Sequence, residues 1–207
     1  MLKLLGKSSS INVRKVLWTC AEIGLDFVQE EWGSGHRSTD DDAFRALNPN
    51  AMVPVIVDGP LVLWESNTIC RYLAMKHGRT DLLPSDAAGR ARVEQWMDWQ
   101  ATELNNAWRY AFMALVRRSP EHADGAAIEA SVRNWNRHMT LLEDQLARTR
   151  AFAAGSAFTL ADVVLGLSLN RWMMTPMQRP ALAHVVAYQE RLSERPGFLA
   201  HGRNGIP

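Results

Sequence analysis

The chain lacks any long apolar run. Met1-Leu2-Lys3-Leu4-Leu5-Gly6 at the N-terminus passes at once into polar turn residues, so neither a signal peptide nor a membrane span is expected, and a cytoplasmic location is the simplest reading. An excess of one charge is also missing. Lys and Arg together number 23 against 22 for Asp and Glu, a formal charge of +1, which argues against nucleic acid or an anionic membrane as a partner. Cysteine is scarce: Cys20 and Cys70 stand far apart, outside any CxxC or metal-ligand spacing, so no metal is expected and both read as small buried hydrophobes. Internal repeats and low-complexity tracts are absent as well. What remains is 207 residues, 47% of them hydrophobic, enough for one large core or two modest ones.

Over the first eighty residues the apolar period keeps changing, as it does where short strands alternate with helices. Leu2 to Leu5 suits a buried strand. After the polar stretch Lys7 to Ser10, apolar residues at Val13, Val16, Leu17, Cys20 and Ile23 recur at helical spacing, and Gly24 suits the left-handed position that ends a helix. Asp26 to Trp32 reads as a second strand, and Asp40 to Leu47 as a short helix stopped by Asn48-Pro49. Val53 to Val57 and Leu61 to Trp64 form a hairpin across Asp58-Gly59-Pro60, and Glu65-Ser66 opens a helix that Gly78 closes. The predicted order is βαβαββα.

Beyond Pro84 strand patterns vanish. Val93 through Leu115 carries the apolar face of one long helix and Ile128 through Leu146 that of another, which predicts an all-helical bundle. Thr159-Leu160-Ala161-Asp162 reads as a helix-capping box, with Phe158 and Val163 placed for a hydrophobic staple. The expected domains are residues 1–80 and 87–207, joined by a linker at 81–86.

Four local patterns appear in order: Ser-Ser-Ile-Asn-Val-Arg-Lys-Val (Ser9 to Val16), Asn-Pro-Asn-Ala-Met-Val-Pro (Asn48 to Pro54), Glu-Ser-Asn-Thr-Ile-Cys-Arg-Tyr-Leu (Glu65 to Leu73), and the Thr159 to Asp162 box. Together they give a chain that resembles the cytosolic glutathione S-transferases, in their bacterial, serine-type or theta-like form, over essentially its whole length. The resemblance implies an α/β thioredoxin-like N-terminal domain that holds glutathione and an all-α C-terminal domain that shapes the pocket for an electrophile. It also implies glutathione as co-substrate, a homodimer and a role in detoxification.

Carried over residue by residue, the resemblance makes Val53-Pro54 a cis pair, with the Val53 main chain meeting the cysteinyl backbone of glutathione. It makes Glu65 and Ser66 the γ-glutamyl site, which suits a helix N-terminus with free amides facing a carboxylate. Met52 departs from the polar residue that relatives often carry for the glycyl end, and His36 and Arg37 are candidates to replace it. Glutathione chemistry needs a thiolate. Lowering a thiol pKa of ~8.5 by about two units takes roughly 2.7 kcal/mol of preferential stabilisation. Counting four residues back from Arg14, as serine-type members do, gives Ser10 as the hydroxyl that holds the sulfur, with Ser9 next. Asn12 stands where some members use an asparagine amide. Trp108, Arg109, Phe112 and Trp172, with Met173, are candidates for the electrophile pocket. Two rivals stay open: a glutathione-dependent disulfide reductase or peroxidase that uses Asn12, and a non-catalytic interaction module that keeps the fold.

Overall fold

The computed structural model describes residues 1–207. Four short strands, β1 (Leu2–Leu5), β2 (Phe27–Glu30), β3 (Val55–Asp58) and β4 (Leu61–Trp64), form one mixed sheet in the order β2-β1-β3-β4. β1 runs parallel to β2 and antiparallel to β3, and β3 and β4 form the hairpin. The parallel pair needs a crossover, which α1 (Ile11–Ile23) supplies. Alternation along β1 sends Leu2 and Leu4 into the main core, and Leu5 to the opposite face with Trp32, Phe44 and Val55. The latter face is covered by α2 (Asp42–Arg45), the former by α1 and α3 (Ser66–Lys76).

The remaining helices are α4 (Ala87–Trp99), α5 (Asn105–Leu115), α6 (Gly125–Thr149), α7 (Leu160–Met174), α8 (Ala183–Ser193) and α9 (Pro196–His201). No helix is long and apolar enough to cross a membrane. The sequence predicts one unbroken helix through Val93 to Leu115. The structure instead inserts a π turn at Gln100–Leu104 between α4 and α5. One extra residue in the turn leaves the chain direction intact while rotating the faces of α5 relative to α4, so Gln100 points into the core as Ala101 and Asn105 reach a cleft.

α7 is the central helix. Every residue from Leu160 to Trp172 is buried, as expected of a helix that is apolar nearly all round. It packs against α1, α3, α4, α8 and α9. Its N-terminus is held by Asp162, whose carboxylate accepts from the Thr159 amide at 2.8 Å, the Thr159 hydroxyl at 3.3 Å, the Ala153 amide at 2.9 Å and the Tyr188 hydroxyl at 2.7 Å.

Trp18 of α1 is the main knob between sheet layer and helices. It is fully buried, with ring centroids 5.8 Å from Phe158 and 5.1 Å from Phe198, and its Nε1 donates to Glu22 at 2.8 Å. Gly197 leaves room for this ring: a Cβ there would lie 2.5 Å from Trp18 Cδ1. Arg195, just before α9, pairs with the same Glu22.

Candidate active site

The segment from β1 to α1 is fixed at its start by main-chain bonds, Gly6 N to Glu30 O at 2.8 Å and Lys7 N to Trp32 O at 3.0 Å. Gly6 sits at φ 148°, and a Cβ there would press within 2.5 Å of Val13. Only glycine lets the chain turn this tightly from strand to helix. The turn delivers Ser10 to the N-cap position of α1 in extended conformation, φ −76° and ψ 126°. A serine there ordinarily caps its helix. The Ser10 side chain makes no such bond; half-buried, it lines a cleft of about 390 Å³. Ser8 is turned away, donating to Glu31 at 2.9 Å and accepting from Gln29 at 2.9 Å. Ser9 does not line the cleft.

Asn12 lies half a turn further on, at a junction. It lines the large cleft, a groove of about 110 Å³ with Asn48, Asn50, Met52, Val53, Pro54, Glu65 and Ser66, and a third hollow beside Lys15 and Arg71. Its Oδ1 accepts from the Ser66 hydroxyl at 3.4 Å, and its Nδ2 donors have no acceptor within the protein. The smaller groove brings together the Val53-Pro54 pair, whose peptide is cis, and the Glu65-Ser66 helix start. Asn48 shapes the loop between them by donating to Met52 O at 2.8 Å and accepting from Asn50 N at 3.0 Å. Glu65 holds φ 72°, a left-handed backbone that costs a non-glycine residue on the order of 1–3 kcal/mol. Strained positions of this kind cluster at binding and active sites. Glu65 and Ser66 line the groove where α3 begins, and the amides ahead of Ile69 have no intrahelical acceptor, an arrangement suited to an anion.

The large cleft is walled by Trp108, Arg109, Phe112 and Met113 of α5, by Arg117 and by Arg171 of α7, with Lys7, Ile11 and Met52 opposite. Trp108 and Phe112 meet edge to face at 5.5 Å, and the Arg171 guanidinium lies 4.5 Å and 4.0 Å from their ring centroids. Four cations and no carboxylate line it. No group of three or more His, Cys, Asp or Glu side chains is arranged to hold a metal ion. Burial pushes the Cys20 thiol up to about 12 and that of Cys70 up to about 11, so neither is a nucleophile at neutral pH.

The structure gathers Ser10, Asn12, Met52, Val53, Pro54, Glu65, Ser66, Trp108, Arg109 and Phe112 around these adjoining cavities. It does not gather the others. Arg37 lies 3.9 Å over the Trp32 ring and pairs with Glu30 at 3.4 Å, and His36 faces Glu31 at 3.6 Å. Trp172, 2% exposed, donates to Asn136 at 2.9 Å and belongs to the core. Arg171, Arg117 and Lys7 are cleft residues that the sequence reading missed. For Arg171 a signal existed, since it is the one basic residue in the predominantly apolar segment Leu160 to Met174.

Two family models match the chain: the glutathione S-transferase N-terminal domain over residues 1–75 and the glutathione S-transferase C-terminal domain over residues 125–201. The chain is 38% identical to the glutathione S-transferase GstB of Escherichia coli, over 90% of this chain and 98% of that one. It is 36% identical to glutathione S-transferase 3 of Zea mays, over 95% and 91%. Among solved structures it is similar to a theta class glutathione S-transferase from Xanthomonas axonopodis pv. citri with glutathione bound, at a TM-score of 0.92 and 35% identity, covering 100% of this chain and 99% of that one.

Proposed function

The chain belongs to the glutathione S-transferase family, and from that premise we propose that Ser10 and Asn12 together hold the glutathione sulfur as a thiolate facing the large cleft. Glutathione is the co-substrate and the reaction is a transfer of its sulfur to an electrophile. The observation that carries this reading is that the Ser10 hydroxyl and the Asn12 amide both line the cleft without an acceptor in the protein. Idle donors beside a groove shaped for a peptide are what an incoming thiolate needs, because preorganised donors in a dry site stabilise an anion with no reorganisation.

The γ-glutamyl carboxylate lies at the N-terminus of α3 with Ser66, Glu65 accepts from the α-amino group, and the Val53 main chain pairs with the cysteinyl unit. Lys7, on the Met52 side of the cleft, takes the glycyl carboxylate that Arg37 is not placed to reach. Catalysis is then positioning plus electrostatic stabilisation. The sulfur lone pair forms a bond to the electrophilic carbon, the leaving group departs with its electron pair, and the thiol proton goes to water.

A cytoplasmic, detoxifying homodimer belongs to the same proposal. Leu61 and Trp64 of β4 and Met75 of α3 are exposed apolar side chains, which supports a contact face there. A disulfide-reductase reading is favoured by one observation, the Asn12–Ser66 bond, which ties Asn12 rather than Ser10 to the γ-glutamyl groove. Rates with an aryl halide and with a glutathione mixed disulfide, measured for Ser10→Ala and Asn12→Ala separately, discriminate the two. If neither variant slows either reaction, both mechanisms fail. Absence of glutathione binding by calorimetry at millimolar ligand would favour a non-catalytic module.

A further inference from the structure

Arg171 is 3% exposed, yet its side chain makes no hydrogen bond and no salt bridge; its guanidinium lies against the faces of Trp108 and Phe112. Its Nε and the Nε1 of Trp108 are buried without any acceptor. The two buried arginines differ at their terminal nitrogens. Arg14, fully buried and likewise without a partner at Nε, donates from Nη1 to Asn204 Oδ1 at 3.2 Å and to the Ile206 carbonyl at 2.8 Å, and from Nη2 to the Pro207 carbonyl at 3.1 Å. A largely buried guanidinium set against aromatic faces, with other cations as its charged neighbours, is costly unless an anion completes it. Arg171 does not stand alone in the cleft. Arg109 and Arg117 line it too, neither pairs with a carboxylate, and Arg117 lies 5.5 Å over the Phe112 ring.

We propose, building on the transferase reading, that the second substrate is an organic anion: a small electrophile with an apolar or aromatic body and a carboxylate bound by Arg171, with Arg117 and Arg109 at the mouth. Trp108, Phe112, Met113 and Ile11 pack against the body of the substrate. The carboxylate offers the planar, two-oxygen partner that a guanidinium fork matches. The reacting carbon then points across the cleft toward Ser10 and Asn12. Burial, and the charges of Arg14 and Arg117, pull the Arg171 guanidinium down to about 9, so a bound anion relieves both burdens at once.

The test is a matched pair of electrophiles, 4-(bromomethyl)benzoate and its neutral methyl ester. In each, the glutathione thiolate forms the S–C bond at the benzylic carbon, bromide leaves with the C–Br electron pair, and the thiol proton passes to buffer. After each rate is divided by its uncatalysed counterpart, kcat/KM for the carboxylate should exceed that for the ester by about tenfold or more. Arg171→Met should bring that ratio toward one, and Arg171→Lys should retain part of it. Because general damage to the fold slows both substrates, the ratio reports recognition rather than integrity. Should Arg171→Met fail to fold, Arg117→Met, at an exposed position, should lower the same ratio by a smaller factor. A wild-type ratio at or below one, or a ratio that none of these variants moves, overturns the proposal while leaving the transferase reading intact. Turnover of neither compound, together with no binding of S-benzylglutathione, overturns the transferase reading and this inference with it.

Discussion

Lys15 of α1 donates to Oε1 of Gln100, 2.8 Å away at the first residue of the π turn, and to Asn67 Oδ1 at 3.2 Å. Gln100 in turn donates to Ser168 at 2.9 Å and to Asn105 at 2.9 Å. A single fully buried ammonium thus ties α1, α3, the π turn and α7 together behind the proposed sulfur site. No carboxylate completes it.

Burial accordingly lowers the Lys15 ammonium to about 8, against 10.5 in the unfolded chain. The unfolded state therefore binds more protons than the native state between about pH 8 and pH 10.5. Stability should carry the whole penalty, on the order of 3 kcal/mol, below about pH 8 and recover it as pH rises through that window. Urea unfolding of wild type and Lys15→Met over pH 7 to 10 checks this. The difference between the two should change with pH in favour of wild type, and a flat difference would contradict the assignment.

Ser10→Ala and Asn12→Ala should each lower kcat/KM for conjugation, the more important donor by about a hundredfold, the size expected when one preorganised donor to a developing or held anion is lost. Both should also move the alkaline rise of the pH profile upward, because the bound thiol loses stabilisation of its charged form. A loss of rate with an unmoved profile would instead indicate a positioning role for that residue.

Arg37→Ala should leave KM for glutathione within about twofold, since its guanidinium is spent on Trp32 and Glu30, an exposed pairing of small worth. Lys7→Met should raise it about tenfold, the usual scale for one charged hydrogen bond to a carboxylate. The reverse ranking would return the glycyl end to Arg37.

Much of this arrangement is legible in the sequence where local chemistry and period agree. The helix ending at Gly24, the Asp58-Gly59 hairpin and the Asp162 cap each depend on neighbours within a few residues. The π turn is not legible, because one inserted residue changes which side chains face inward without changing composition. Arg171 and Trp172 show the same limit at finer scale. In an all-buried helix there is no polar face to set the phase, and adjacent residues point about 100° apart. Arg171 therefore reaches the cleft while Trp172 turns to Asn136. Arg37 escapes the sequence for a different reason: its partner Trp32 comes close only through a bridge across the intervening turn.

The Asp162 hub offers the sharpest test of stability. Four donors converge on one buried carboxylate, and burial raises its pKa despite them. The native state then holds its proton to higher pH than the unfolded chain, so this residue's contribution falls as pH rises from about 4. The donors nevertheless have no other partner. Asp162→Ala should cost about 3–5 kcal/mol in urea unfolding, because it strands several buried donors at once. Tyr188→Phe, which removes one of those donors, should cost about 1 kcal/mol in the wild type. In the Asp162→Ala background the same change should cost nothing or restore stability, since the phenol hydroxyl is by then unpaired and buried. Additive losses in that double-mutant cycle would show that Tyr188 and Asp162 act independently and that the hub is not the lock on α7.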